Sequence, residues 1–320
     1  MKPNCANSRR RSWNIKGCGT AAHILRFSHS TSTPHPQVAH SATPLKPFFL
    51  YLPFYSVHTP LEGRPDLVRK YAEKRRKLGL DEPLEPEPPR DNLKVQQHAV
   101  YAAMVEAMDQ AIGKVLRAID DHGLRDDTIV IFFSDNGGLS TAEGFPTSNL
   151  PLRAGKGWSY EGGIRVPLIV RAPGKAKPGS TCAAPVISTD FYPTLLELCG
   201  FDPLPQQHRD GVSFARLLAD PQAKQERPPL LWHYPHWGNC GGIPNSAIRD
   251  GDWKLIRYYW QKEPELFHLA RDPGERNNLA HQEPEKFQAL NTRLDALLED
   301  THALLPFTNP KPRTRPFVKW

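Results

Sequence analysis

The chain has 320 residues, enough for one large α/β domain or two smaller ones with a buried core. Of its 41 Lys and Arg residues, seven lie in residues 1–46, a stretch without Asp or Glu, and the remaining 34 balance the 34 acidic residues. The body of the protein is therefore close to neutral. This argues against a nucleic-acid-binding domain, because such a domain carries its basic patch on the fold itself.

The N-terminal segment and the cysteines give little functional information. No run of about 18 apolar residues is present, so no membrane-spanning helix is predicted. The five cysteines form no CxxC pair and lack zinc-ligand spacing. Residues 1–46 are rich in Arg, Ser and His and lack the apolar core of a secretory signal. We expect a disordered or mis-started leader there, without a catalytic role, and the compartment stays open.

The first half of the predicted fold contains two strands separated by a long helix. An apolar strand is expected over residues 47–55, followed by a charged, proline-rich surface excursion over 61–95. Apolar residues recur every three or four positions over 96–122, which predicts an amphipathic helix ended by Gly123. A second apolar strand at 128–133 completes a βαβ unit, so a buried, parallel strand is expected there.

The second half is expected to begin with a long glycine-rich loop over 139–165 and a short strand over 166–170. Thr189 and Asp190 can cap a helix that runs to Cys199. From about residue 230 the pattern becomes that of a smaller subdomain, with antiparallel strands at 253–259 and 265–269 and a helix at 283–300.

Three regions are therefore predicted. Residues 1–46 form the leader, residues 47–229 an α/β domain, and residues 230–320 a C-terminal subdomain with an extended tail. No internal repeat is visible.

Residues 129–138, Ile-Val-Ile-Phe-Phe-Ser-Asp-Asn-Gly-Gly, form the most informative local pattern. The apolar strand ends in Asp135 and Asn136, and two glycines follow. Ligands of open α/β sheets bind at the carboxyl ends of strands, and calcium favours carboxylate and amide oxygens. The pattern indicates a metal site, and a strand followed by an ordinary Asn-Gly turn is the alternative.

Two further side chains could converge on an anionic substrate. His58 follows the end of the first strand, and Lys156 lies between two glycines that allow close backbone approach. An imidazole, an ammonium and a metal-binding pair suit transfer of a tetrahedral oxyanion, because charge on its oxygens must be stabilised. Taken singly, each residue also has a structural alternative, a hydrogen-bonded histidine or a solvated lysine.

The chain resembles the sulfatase family, whose fold is shared with alkaline phosphatase, over roughly residues 47–310. The stretch 153–174, Arg-Ala-Gly-Lys-Gly-Trp-Ser-Tyr-Glu-Gly-Gly-Ile-Arg-Val-Pro-Leu-Ile-Val-Arg-Ala-Pro-Gly, is a very specific match. Further matching stretches are 47–60, 101–113, 127–138, 247–256, 265–269 and 272–275. The resemblance implies an alkaline-phosphatase-like mixed sheet flanked by helices, with a smaller C-terminal antiparallel sheet and helix, and a sulfuric ester hydrolase activity.

The resemblance also assigns roles to residues. Asp135 and Asn136 match the family's later pair of calcium ligands. His58 matches a histidine that contacts the sulfate and helps the leaving alcohol depart. Lys156 matches a lysine on the sulfate and leaving-group oxygen.

The substrate is expected to be a sulfated small molecule or a sulfated glycan, with no nucleic-acid partner. His233 and His236, in Trp-His-Tyr-Pro-His, either line the substrate entrance or lie in an aromatic surface loop.

Two parts of the family's pattern are missing. The family's nucleophile is a formylglycine made from the cysteine of a Cys-x-Pro/Ala-Ser-Arg motif, and residues 5–9, Cys-Ala-Asn-Ser-Arg, hold only a trace of it that we interpret as coincidence. Two earlier calcium-ligand aspartates have no counterpart, because residues 1–46 contain no aspartate. With half a calcium site, no nucleophile and an exposed sheet edge, we expect the chain alone to be inactive and marginally folded, an N-terminally truncated or mis-started product.

The sequence thus predicts a family member that hydrolyses sulfate monoesters to an alcohol and sulfate. One alternative is a non-catalytic remnant that binds sulfated glycans or a partner chain. Another is a phosphatase or phosphodiesterase of the same superfamily, although residues 155–157 and 161–165 fit sulfatases better.

Overall fold

The computed structural model describes residues 23–26, 47–260 and 262–307. The backbone of β1 (His23–Arg26) pairs antiparallel with β2 (Phe48–Tyr51). The predictions for the rest of residues 1–46, including Cys5, lie outside the described residues.

Two helices and a hairpin follow β2. Helix α1 (Pro65–Leu78) has proline in its first turn and ends at Gly79, whose φ of 58° is left-handed. It packs against α2 (Ala99–Asp121), and the hairpin of β3 (Leu84–Glu87) and β4 (Arg90–Leu93) lies between them in the chain. The predicted surface excursion over 61–95 therefore contains a helix and a hairpin that were not predicted from the sequence. Helix α1 is mostly charged and buries only Leu67, so its sequence carries little apolar periodicity.

Strand direction is a second correction. Helix α2, which confirms the predicted amphipathic helix, leads through Gly123 into β5 (Val130–Phe133). β5 pairs antiparallel with β6 (Leu168–Arg171) in a two-stranded sheet, and all four β5 residues are half-buried. The expected buried parallel strand is thus wrong for the described residues. An apolar run gives no strand direction, and the intervening segment 134–167 returns the chain alongside β5 with opposite polarity.

The predicted helix that runs to Cys199 is confirmed by α4 (Phe191–Leu198), which Gly200 follows in a left-handed conformation. The predicted cap is wrong, because neither side chain accepts a hydrogen bond from the first turn of α4: Thr189 Oγ1 donates to Asp210 O, and Asp190 bonds elsewhere. The fully buried Asp190 carboxylate accepts from the backbone N–H groups of Ile187 and Val212 at 2.9 and 2.8 Å. Arg227 neutralises it at 2.7 Å. Two short helices, α3 (Glu161–Ile164) and α5 (Ala215–Ala219), precede and follow α4.

The C-terminal region is a four-stranded antiparallel sheet with a helix on one face. Its strands are β7 (Leu230–Tyr234), β8 (Asn245–Asp250), β9 (Trp253–Tyr258) and β10 (Glu265–His268), in the order β10-β9-β8-β7. Helix α6 (Pro284–Asp300) buries leucines spaced four residues apart against this sheet: Leu290, Leu294 and Leu298 meet Ile248, Leu255 and Leu266. The predicted antiparallel subdomain with its helix is confirmed.

The opposite face of the C-terminal sheet carries the loop that follows β5. Ala247, Ile256 and Phe267 of the sheet share a buried core with Trp158 and Tyr160 of that loop. The sheet therefore supports residues 154–160 from beneath. Among the described residues, no helix has the length and apolar character needed to cross a membrane.

Candidate active site

The turn after β5 and the loop that contains Lys156 are joined backbone to backbone. Gly137 N–H donates to Gly163 O at 2.9 Å, and Lys156 N–H donates to Gly138 O at 3.1 Å. The Asn149 side chain accepts from Gly138 N–H at 3.0 Å and donates to Gly138 O at 2.7 Å. These bonds hold Lys156 close to the turn that begins with Asp135 and Asn136.

Glycine is required for this close approach. A Cβ on Gly137 would lie 1.7 Å from Gly162 O, and a Cβ on Gly155 would lie 2.2 Å from Gly138 O. Both distances are far shorter than a non-bonded contact allows. The paired glycines of the sequence therefore serve backbone packing at the strand end.

His58 and Lys156 meet although 98 residues separate them in sequence. Lys156 Nζ lies 2.7 Å from His58 Nε2, and His58 Nδ1 lies 2.7 Å from Thr59 O. A carbonyl only accepts, so we assign the proton to Nδ1, and Nε2 then accepts from the Lys156 ammonium. The structure therefore places the two predicted catalytic side chains in direct contact.

The basic pair has no acidic partner among the described residues: no carboxylate oxygen of that part lies within ion-pair distance of Lys156 Nζ. Asp135 is exposed and Asn136 is half-buried, and their side chains likewise make no hydrogen bond within the described part of the chain. The Lys156 ammonium, which uses one of its three donors on His58, the Asp135 carboxylate and the Asn136 amide are thus available to a ligand at the strand end.

Asp135 and Asn136 alone do not complete a cation site. Calcium takes about six to eight oxygen ligands, whereas this pair offers one carboxylate and one amide oxygen. Within residues 23–26, 47–260 and 262–307, no group of three or more His, Cys, Asp or Glu side chains could hold a metal ion. The described residues do not by themselves fit calcium.

A loop of the C-terminal region, residues 238–242, packs on the Lys156 segment. A Cβ on Gly242 would lie 1.8 Å from Gly157 O, so the two backbones touch. The Cys240 carbonyl accepts from Trp158 Nε1 at 2.9 Å and from Thr141 Oγ1 at 2.7 Å. The Cys240 thiol is buried, and burial raises its pKa. This loop forms one wall of the site.

Glu143 links that wall to the His58 segment, a feature that sequence reasoning missed. Its carboxylate accepts from Thr59 Oγ1 at 2.6 Å and from Asn239 Nδ2 at 3.1 Å. Arg90 Nη2 donates to Asn239 O at 2.9 Å on the other side. Four segments distant in sequence are involved, so no local spacing could have revealed these contacts.

The predicted substrate residues His233 and His236 have different surroundings. His233 Nδ1 lies 2.7 Å from Ser246 Oγ, and its Nε2 lies 3.0 Å from Leu304 O. Both ring nitrogens are therefore bonded within the protein. His236 is exposed, and its ring contacts only Tyr234 among the described aromatic side chains. Their role at the substrate entrance stays a prediction.

Buried charged residues hold the end of the loop that contains Lys156. Lys254 is fully buried, with Nζ 3.1 Å from Glu161 Oε1 and 2.8 Å from Glu275 Oε1. Glu275 also accepts from Glu161 N–H at 2.6 Å. Burial raises the pKa of Glu275, and the neighbouring Lys254 ammonium limits the rise.

Arg153 anchors the start of the same loop. Its guanidinium donates two hydrogen bonds to the Glu87 carboxylate, at 2.8 and 2.7 Å, and lies 4.0 Å from the centre of the Tyr160 ring.

Comparison with known families gives consistent matches. The family model described as Sulfatase matches residues 34–201, more than half of the chain. The model described as N-sulphoglucosamine sulphohydrolase, C-terminal, matches residues 154–303.

Curated relatives are sulfatases. A sulfatase of Formosa agariphila is 40% identical over 255 residues, covering 74% of this chain and 43% of that protein. Arylsulfatase J of Mus musculus is 36% identical and covers 69% of this chain and 35% of its own length. The chain therefore spans less than half the length of these relatives.

Solved structures of similar fold extend the comparison. The crystal structure of Ps i-CgsB has a TM-score of 0.62 at 27% identity, covering 81% of this chain and 51% of that one. It was also solved in complex with k-i-k-neocarrahexaose. Another structure, in complex with its substrate D-glucosamine-2-N,6-O-disulfate, has a TM-score of 0.53 at 27% identity, covering 64% of this chain and 40% of that one.

These similarities agree with the mixed α/β architecture, in which sheets are flanked by helices, and they confirm the predicted alkaline-phosphatase-like class. On the match of the family model and the sequence identity with curated sulfatases, the chain belongs to the sulfatase family.

Proposed function

We propose that this chain supplies the sulfate-binding and leaving-group side of a site that hydrolyses sulfate esters. The observation that carries the proposal is the contact between Lys156 Nζ and His58 Nε2 at 2.7 Å. Two basic groups that converge without a carboxylate partner in the described residues fit an anionic ligand better than a structural role. The family membership supports a sulfate ester as that anion.

The chemistry follows from the two side chains. The Lys156 ammonium would neutralise a sulfate oxygen and stabilise the charge that builds on the bridging oxygen as the S–O bond breaks. His58 is oriented by its Nδ1–H bond to Thr59 O, so Nε2 faces the site. When a sulfate oxygen takes over the Lys156 hydrogen bond, Nε2 would be free to accept a proton from solvent water and donate it to the leaving oxygen. The alcohol would then depart, and the sulfuryl group would pass to a nucleophile that the described residues do not supply.

We further propose that Asp135 and Asn136 would hold a calcium ion together with further oxygen ligands that the described residues do not supply. When bound, calcium would supply positive charge that stabilises the anionic substrate. His236 would lie near the substrate entrance, and His233 would have to exchange a protein hydrogen bond for a substrate contact.

Binding of inorganic sulfate tests the basic pair directly. In the 320-residue protein labelled for NMR, sulfate should shift the ring resonances of His58. The Lys156→Met variant removes the ammonium and should weaken this response about tenfold, the order of a charge-assisted contact. Lys175→Met, an exposed lysine after β6, is the matched control and should leave the response unchanged. Equal sulfate affinity in the wild type and Lys156→Met would contradict the proposal.

We also propose that the 320-residue chain alone does not turn over sulfate esters, since its sequence holds no Cys-x-Pro/Ala-Ser-Arg motif. The assay is release of 4-nitrophenol from 4-nitrophenyl sulfate, with Cys5→Ala as the reference. Hydrolysis by the wild type above that of Cys5→Ala would overturn this part of the proposal and assign a role to Cys5. Sulfate binding without turnover would favour the non-catalytic alternative for this chain.

A further inference from the structure

Few hydrogen bonds hold the segment that carries His58, residues 55–60, to the rest of the protein. Within the described part of the chain, two hydrogen bonds tie this segment to other segments. In the first, Thr59 Oγ1 donates to Glu143 Oε2 at 2.6 Å. The second is the 2.7 Å contact between His58 Nε2 and Lys156 Nζ. The remaining hydrogen bonds of the segment are local and join residues at most four positions apart, so they orient the imidazole within the segment only.

The bond between His58 and Lys156 is lost when the site is used. A sulfate oxygen that takes over the Lys156 ammonium leaves His58 Nε2 without its protein partner. The bond from Thr59 to Glu143 is then the remaining hydrogen bond, among the described residues, that holds the His58 segment in the site. It is short and its acceptor is a carboxylate, so it is stronger than a hydrogen bond between neutral groups.

Glu143 itself is held in place by the C-terminal region. Thr141, two positions earlier, is buried, and its Oγ1 donates to Cys240 O at 2.7 Å. The second oxygen of the Glu143 carboxylate accepts from Asn239 Nδ2 at 3.1 Å, and Arg90 Nη2 donates to Asn239 O at 2.9 Å. The φ of Glu143 is 52°, a left-handed conformation that residues other than glycine adopt rarely and that clusters at functional sites.

We propose that Glu143 is a positioning residue of the sulfate site, which acts through the Thr59 hydroxyl and holds the His58 imidazole at the leaving oxygen while the substrate occupies Lys156. The inference rests on the proposed sulfate site. Glu143 forms no hydrogen bond with His58 or Lys156 in the described part of the chain, so it acts through Thr59. A direct effect of its charge has the opposite sign, because a carboxylate near a bound anion repels it. Removal of Glu143 would then tighten sulfate binding, whereas loss of the Thr59 hydrogen bond weakens it.

The test is calorimetric titration of the 320-residue protein with inorganic sulfate. Thr59→Val removes the hydroxyl and keeps the shape of the side chain, and Glu143→Ala removes the acceptor. Each should weaken sulfate binding about fivefold, the effect of one exposed hydrogen bond. Unchanged affinity in Thr59→Val, or tighter binding in Glu143→Ala, would overturn the inference.

Two control variants accompany this titration. Thr59→Ser retains a hydroxyl and should bind sulfate as the wild type does. Thr128→Val loses a bond of similar length, from Thr128 Oγ1 to Leu124 O at 2.7 Å, away from the site and should leave the sulfate affinity unchanged. A loss of affinity in Thr59→Ser as large as that in Thr59→Val would contradict a role of the hydroxyl.

A double-mutant cycle with His58 distinguishes positioning from a general loss of structure. If Thr59 acts through His58, the loss of affinity caused by Thr59→Val should be at least about threefold smaller in a His58→Ala background than in the wild type. The same loss in both backgrounds would overturn the inference.

NMR relaxation measures the hydrogen bond from Thr59 without any ligand. Lys156→Met removes the other bond of the His58 segment, as a bound anion would. Backbone order parameters of residues 56–59 should stay near about 0.85 in Lys156→Met and fall below about 0.6 when Thr59→Val is added. A rigid segment in the double variant would overturn the inference even where sulfate binds. A sulfate affinity that Lys156→Met leaves unchanged would refute the proposed sulfate site instead, so the two failures are distinguishable.

Discussion

Replacing Lys254 by methionine probes the buried charges that support the Lys156 loop. Methionine keeps the length of the side chain and removes its charge. Because Lys254 is fully buried between Glu161 and Glu275, the variant leaves carboxylates without their cation. Breaking a buried ion pair in this way costs about 3–5 kcal/mol of unfolding free energy. That loss is a large part of the roughly 5–15 kcal/mol that stabilises a typical domain.

The two carboxylates are not equally affected. Glu161 keeps Arg249 at 3.6 Å, whereas the Glu275 carboxylate keeps, among the described residues, the hydrogen bond from Glu161 N–H alone. Removing the Lys254 ammonium therefore leaves Glu275 with fewer stabilising interactions than Glu161. In the Lys254→Met background, Glu275→Gln removes that charge and retains an oxygen acceptor for the N–H. We expect this double variant to recover about 1–3 kcal/mol.

The pH dependence gives a second readout. Burial raises the pKa of Glu275, so in the interval above its ordinary value the folded state binds more protons than the unfolded state. Protonation of Glu275 therefore contributes to the free energy of unfolding. This contribution is fully present below the ordinary pKa of a glutamate and is lost as the pH rises through the pKa of Glu275 in the folded protein. Without Lys254 the folded pKa rises further. The Lys254→Met variant should therefore lose more stability than the wild type between about pH 5 and about pH 8.

Urea unfolding followed by tryptophan fluorescence measures these differences. The reasoning would be refuted if Lys254→Met were within about 1 kcal/mol of the wild type at both pH values. The conclusion that the unpaired Glu275 carboxylate causes the loss of stability would also be contradicted by two results. One is a loss that does not change with pH, and the other is a double variant that is no more stable than Lys254→Met.

Two further predictions concern packing. Gly137→Ala would place a methyl group against Gly162 O and should lower the free energy of unfolding in urea by more than about 2 kcal/mol. The control is Gly113→Ala in the middle of α2, where there is room for a methyl group. It should leave the free energy of unfolding unchanged or raise it by up to about 1 kcal/mol. Leu294→Ala removes a fully buried side chain of α6 and should cost about 2–5 kcal/mol, and the exposed Leu304→Ala should change the midpoint little. An equal effect within either pair would contradict the packing described.

Much of the architecture could be predicted because it is local. The apolar period of α2, the glycine that follows α4 and the leucine spacing of α6 depend on neighbouring residues, and the sequence carries them directly. Helix α1 was missed because its face toward α2 is narrow and its remaining surface is charged. The direction of β5 could not be predicted, since an apolar strand suits parallel and antiparallel neighbours alike.

The candidate site likewise has features that the sequence predicts and features that only the tertiary structure shows. The sequence by itself determined which chemical groups follow β5, namely a carboxylate, an amide and two glycines. Its motifs also indicated the sulfatase family. Only the tertiary structure decided that Lys156 meets His58, that Glu143 bridges Thr59 and Asn239, and that Lys254 is buried among carboxylates. The physical reason is that these contacts, apart from the one between Lys254 and Glu275, join residues 84 to 98 positions apart in sequence. Their geometry follows from how the C-terminal sheet packs on the glycine-rich loop, which no local pattern specifies.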